Sequence, residues 1–153
     1  EIHRDKVIIR EESTALSFEN FSNNALNILQ QVYNRLAPPL FVGQLNIVRM
    51  LYPLSSEEAA NQFLTRNFLS VPEGLEQRMG RPLAGIGLRL VYPPTREKPN
   101  EFQLRVEPFF RDQTQLYIEN SGRFLPPFKK MEEAKSRLEQ TYAFLKSSLE
   151  ALI

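Results

Sequence analysis

Hydrophobic and polar residues change period several times along this chain, and each change marks an element. Residues 102–110, FQLRVEPFF, alternate strictly: Phe102, Leu104 and Val106 fall on one side, Gln103, Arg105 and Glu107 on the other. That is the period of a strand with one buried face. Residues 5–10, with Val7, Ile8 and Ile9, are rich in β-formers and predict a first strand. From Ser17 the period lengthens. Phe18, Phe21, Ala25, Ile28, Val32 and Leu36 recur three and four residues apart, with Leu29 and Tyr33 beside them, which predicts a helix over 17–36. Pro38 and Pro39 end it, and the Val-, Ile- and Leu-rich stretch 41–51 predicts a second strand. Ser55 followed by Glu58 has the spacing of a capping box, opening a shorter helix with Ala59, Phe63 and Leu64 inward that runs to about Phe68.

Pro72, Gly74, Gly80 and Pro82 punctuate a loop over 71–82, after which Ile86, Leu88 and Leu90 alternate with Gly87 and Arg89 as a third strand. The polar turn PPTREKPN (93–100) leads into FQLRVEPFF, where Pro108 marks a bulge, and RDQT (111–114) breaks that strand from the next, 116–120. Short connections pair neighbouring strands, so these three form an antiparallel meander. Beyond Pro126 and Pro127, Met131, Ala134, Leu138, Tyr142, Leu145, Leu149 and Leu152 make one apolar stripe. They predict a last helix of about 25 residues, some 37 Å long at ~1.5 Å per residue.

The order β-α-β-α-β-β-β-α predicts a single α+β domain over 1–153: two layers, a mainly antiparallel sheet of about five strands with helices on one face. A long last helix over a curved sheet is helix-grip-like, an arrangement that packs solid or leaves an apolar cavity for a small ligand. With 11 Phe and 5 Tyr available to fill that space, a filled core is the expectation.

Composition removes most chemistry. The 153 residues include no cysteine, so there is no disulfide, thiolate metal site or cysteine nucleophile. His3 is the only histidine and sits at a fraying terminus, which argues against a Ser-His-Asp system. The acidic runs Glu11-Glu12, Glu57-Glu58 and Glu132-Glu133 read as solvated charge beside helices and strands, not as a metal site. GIGLRL (85–90) lacks the full spacing of a phosphate loop, and Gly85 and Gly87 read as a bulge or a close approach. No catalytic residue, cofactor or metal is expected.

Charge is equally bland: 19 Lys and Arg against 18 Asp and Glu give a net +1. Although 13 of the 19 basic residues are arginines, they alternate with acids, so nucleic acid is not an expected partner. No apolar run approaches the ~18–20 residues that span a bilayer. The chain opens at Glu1 on an alternating stretch, unlike a signal peptide, so a cytoplasmic protein is expected, and the lack of an initiator Met reads as a processed chain or a piece of a longer one.

What remains is the polar side of the meander. With the turn centred on Asp112 and Gln113, Val106 faces Ile118, Arg105 falls opposite Glu119, and Glu107 opposite Tyr117. An Arg–Glu cross-strand pair contributes ~0.2–1 kcal/mol and lowers a carboxylate's pKa, the wrong direction for a general acid. Arg89, Gln103, Arg105 and Glu119 therefore read as a solvated or partner-facing surface. Arg49 joins them, because 41–51 has no proline and only that one charge. At a sheet edge such a strand invites another, and Arg49 would lie near the contact.

The succession ALSFENFSNNALNILQQVY, LNIVRMLYPL, IGLRLVYP and QLYIENSGRF before a terminal amphipathic helix resembles the C-terminal half of a sporadically distributed bacterial protein family of unknown function. Phe18 and Phe21 match its F-x-x-F, and Arg49 its strand arginine. Met50-Leu51-Tyr52 stands where the family often has Tyr-Ile-Asn, and Ala15 where an aromatic is usual. The resemblance brings no catalytic residues and implies a related N-terminal half outside this chain. The expectation is a non-catalytic protein-interaction or assembly domain, acting as a homodimer or with that N-terminal half. The alternative is a helix-grip domain that binds a small apolar ligand.

Overall fold

Four antiparallel strands carry the structure, a computed structural model that describes residues 1–3, 5–12, 16–54 and 59–153. The elements run α1 (Phe18–Leu36), β1 (Gln44–Pro53), α2 (Ala60–Asn67), α3 (Leu75–Met79), β2 (Leu88–Tyr92), β3 (Asn100–Pro108), β4 (Gln115–Phe124) and α4 (Met131–Leu152). In the sheet their order is β1-β4-β3-β2, so the three-strand meander is extended on its β4 side by β1. The fold is α+β with helices on one face of the sheet and a long C-terminal helix. Among the described residues no helix is long and apolar enough to cross a membrane.

The expected strand at 5–10 does not join the sheet, which has four strands rather than five. The β-rich stretch finds its partners locally: Ile2 and Val7 form an isolated bridge, and the N–H of Ile8 donates to the carbonyl of Glu1 at 2.8 Å. High β-propensity satisfied within the first eight residues needs no sheet edge. The predicted capping box at Ser55 and Glu58 lies outside the described residues, as do Glu57 and Ala15. Between the left-handed glycines Gly74 (φ 69°) and Gly80 (φ 63°), one turn of helix, α3, interrupts the predicted loop. β3 is regular through Pro108, without the expected bulge.

α1 begins and ends where its sequence dictates. Ser17 is extended, and its Oγ accepts from the N–H of Asn20 at 3.2 Å. Ala37 turns left-handed (φ 42°) and donates its N–H to Tyr33, directly before Pro38 and Pro39.

The even-numbered side chains of the strands face the helices. Leu104, Val106, Leu116 and Ile118 form a core with Ala60 and Leu64 of α2 and Leu145 of α4, and Val48, Met50, Tyr52, Leu88 and Leu90 pack around it. A second cluster, Phe128, Met131 and Ala134, meets Leu26, Leu29 and Tyr33 of α1 and also Phe41. α4 thus has two apolar faces, not one. Tyr142 stacks on Phe18 with centroids 3.9 Å apart and Lys135 donates to Asn23, both toward α1, while half-buried Leu138 lies between that side and the sheet side.

Where α4 crosses β1 and β4 the interlayer is polar. Asn46 donates to Thr141 Oγ1 at 3.2 Å, Thr141 Oγ1 donates to the Arg137 carbonyl at 2.8 Å, and Asn120 donates to the Thr141 carbonyl at 2.8 Å. Arg137 lies buried over Phe128, 4.5 Å from the ring centroid, and desolvation lowers its pKa. Gly122 lies beneath this crossing: a Cβ there would run into Thr141 Oγ1 and come within 2.9 Å of the Phe102 ring.

Candidate protein-interaction surface

Because the even-numbered side chains are turned to the helices, the odd-numbered ones form a face that no described helix packs on. The register places Arg49, Glu119, Arg105 and Arg89, four of the five residues named from sequence, in one row across it, while Gln103 lies between Val91 and Ser121. Arg49 pairs with Glu119, Glu119 with Arg105, and Arg105 with Arg89. The expected registers Val106 to Ile118 and Glu107 to Tyr117 also hold.

The side chains make different bonds from those the register alone suggests. Arg49 Nε donates to Glu119 Oε2 at 2.6 Å, and Tyr117 donates its hydroxyl to the same oxygen at 2.7 Å. Arg105, opposite Glu119 on the other side, bonds instead to Glu107 two residues along its own strand, bidentately at 2.8 and 2.7 Å. Arg89 donates to Gln103 at 2.6 Å, and Gln103 to Glu101. Between Arg89, Arg105, Glu107 and Ser121 the face sinks into an open hollow of about 510 Å³. Gly87 closes against β3 there, where a Cβ would come within 3.0 Å of the Val106 carbonyl.

Titration follows from these bonds. Burial pushes the Glu119 carboxyl up, but the hydrogen bonds from Arg49 and Tyr117 and the charges of Arg49 and Arg105 outweigh it, and the net pKa is lowered. Tyr117 is raised, first by burial and then by its bond to Glu119. Both groups are held in their resting protonation states. Arg49 and Arg105 each have a carboxylate partner, Arg89 is held by the neutral Gln103 amide, and the shifts of Glu119 and Tyr117 both lead away from neutral pH.

Beside it, β1 is an edge strand. The hydrogen bond from Leu54 N–H to Thr114, one step beyond the β1–β4 register, sets the parity of that ladder. Even residues of β1 bond to β4, and the N–H and C=O groups of Leu45, Ile47, Arg49 and Leu51 point to the open edge. The same odd residues present their side chains on the uncovered face, with Leu45 62%, Ile47 45% and Leu51 44% exposed. These three leucine and isoleucine positions were not singled out from sequence. Their signal was that 41–51 carries large apolar residues at both odd positions (Leu45, Ile47, Leu51) and even ones (Val48, Met50), so one of its two faces must meet something other than the core. No family model, curated protein or solved structure matches this chain.

Proposed function

We propose that this chain is a non-catalytic protein-interaction domain that recognises an extended polypeptide by adding it to the β1 edge. The observation that carries this reading is the coincidence, on the same four residues, of free backbone groups and exposed side chains. Leu45, Ile47, Arg49 and Leu51 offer both to one incoming strand. Backbone pairing supplies affinity in such β-augmentation, and alternate side chains supply selectivity. A cytoplasmic location would fit this reading, which calls for no catalytic residue or cofactor. The alternative, a cavity for a small apolar ligand under α4, has less support, because Leu104, Leu116, Ile118, Thr141 and Leu145, each at most 1% exposed, fill that space.

The test is selection from a random displayed peptide library on the wild-type chain, with Ile47→Lys as the counter-bait. Ile47 points away from the core, so this variant keeps the fold. Enriched peptides should alternate apolar residues, carry little charge and bind the variant at least about tenfold more weakly. Binders indifferent to Ile47→Lys, or a library that yields no binders on a chain that is monomeric, overturn the reading.

A further inference from the structure

Strand recognition leaves the identity of the partner open, and the β1 sequence narrows it. We propose that the partner is a second copy of this chain, its β1 pairing antiparallel with this one about a two-fold axis through Val48, perpendicular to the sheet. The inference rests on β1 being the recognition edge.

In that register Leu45 stands opposite the partner's Leu51 and Ile47 opposite the partner's Arg49, each pair occurring twice. Odd residues meet odd residues, so every outward N–H and C=O from Leu45 to Leu51 finds a mate, about eight inter-chain hydrogen bonds at two per bonded pair. One step further Gly43 would meet the partner's Pro53, which has no N–H, so the ladder stops at limits set by its own sequence. On the helix side Val48 meets its own copy.

Charge selects the same partner. Arg49 is the only charged residue of β1, and it is already bonded to Glu119 at 2.6 Å. An acidic strand would find no unpaired cation along β1, and a basic strand no unpaired anion; an apolar strand without an unpaired charge fits, and β1, whose one charge is already bonded, is such a strand. A register centred on Arg49 would set two arginines directly opposite each other, which is destabilising. Centred on Val48, the arginine stem lies instead along the partner's Ile47. β2, the other edge, is five residues long and carries Arg89, which has no carboxylate partner among the described residues. Pairing through β1 closes two four-stranded sheets into one of eight strands and joins their uncovered faces, with the isologous symmetry of a closed dimer.

The chain has no cysteine, so single-cysteine variants report the register cleanly. Val48 and its copy form a non-hydrogen-bonded pair with Cα atoms ~4.5 Å apart, within disulfide range. Light scattering across a concentration series should show a mass twice that of the chain. Val48→Cys should cross-link under mild oxidation several-fold faster than Ile47→Cys or Arg49→Cys. Ile47→Pro removes an N–H that points to the edge and not to β4, so it should stay folded by circular dichroism yet be monomeric. Ile47→Lys, altered only in its outward side chain, should be monomeric too. A wild type monomeric up to about millimolar, a dimer that survives both Ile47 variants, or fastest cross-linking at 47 or 49 each overturns the inference. If the chain is monomeric but library peptides still bind in an Ile47-dependent way, strand recognition stands and self-pairing falls. If neither occurs, both fall.

Discussion

Gly122→Ala adds one methyl group to a strand and should cost far more than strand propensity implies. Alanine in place of a strand glycine is normally favourable by ~0.5–1 kcal/mol. Here the new Cβ points at α4, where Thr141 Oγ1 already occupies its place and the rings of Phe102 and Phe124 stand 2.9 and 3.1 Å away. Thr141 is fully buried, and its Oγ1 accepts from Asn46 and donates to the Arg137 carbonyl, so it cannot swing clear without breaking those bonds. Overpacking of this kind costs ~1–3 kcal/mol, and leaving a buried amide or hydroxyl unpaired costs a further ~1–3 kcal/mol. Net of propensity, the loss should be about 1–5.5 kcal/mol. At ~2–4 °C per kcal/mol for a chain of this size, thermal melting should fall by roughly 2–20 °C. Removing the obstructing group should relieve the clash: Gly122→Ala combined with Thr141→Ala should be more stable than the sum of the single changes by ~0.5–3 kcal/mol. A melting temperature within 2 °C of wild type, or strictly additive single changes, would refute the close approach of α4 and β4 at this point.

On α4, Leu145→Ala should cost about 2–5 kcal/mol in urea denaturation, because that side chain is 1% exposed within the main core. Half-buried Leu138→Ala should cost clearly less, and equal losses would show that α4 is rotated about its axis. For Glu119 the ionised form is the one the fold stabilises, since its folded pKa lies below its ordinary value. Its contribution is therefore present above the ordinary glutamate range and is lost as pH falls through the lowered folded value. Wild type should exceed Glu119→Gln by ~0.2–1 kcal/mol near pH 7, and the gap should close as pH falls below the ordinary glutamate range. A gap that is constant or grows on acidification would contradict the network.

The elements whose pattern and punctuation agree could be read from sequence. α1 has an apolar stripe, a serine cap and a following proline pair. β3 and β4 have strict alternation around a short Asp112-centred turn, and that was enough to place Arg105 opposite Glu119. The row through Arg49 and Arg89 needed two more registers, which only the folded sheet supplies. What alternation could not convey is which polar residues go inside. Asn46, Asn120 and Thr141 are polar yet buried because they bond one another across as many as 95 residues of chain, and Arg137 is buried against the rings of Phe124 and Phe128. The strand expected at 5–10 failed for the converse reason: Val7 to Ile9 have the propensity, but propensity does not provide a neighbour. Ser121 and Gly122 masked the end of β4, because a small residue looks like a break unless the helix pressing on it is known.

The connectivity of the sheet also sets the order in which it can assemble. β3 and β4 meet across a turn of a few residues, whereas β1 reaches β4 only from roughly 60–80 residues away, so the loop-closure entropy for β1 is the larger and its docking comes late. Until it docks, the β4 flank of the meander is an unfilled slot, and every other molecule in solution carries a strand that fits it. At low concentration the chain's own β1 wins on proximity. In concentrated refolding the contest is bimolecular, and β1 exchanged between molecules is the misassembly that this topology favours.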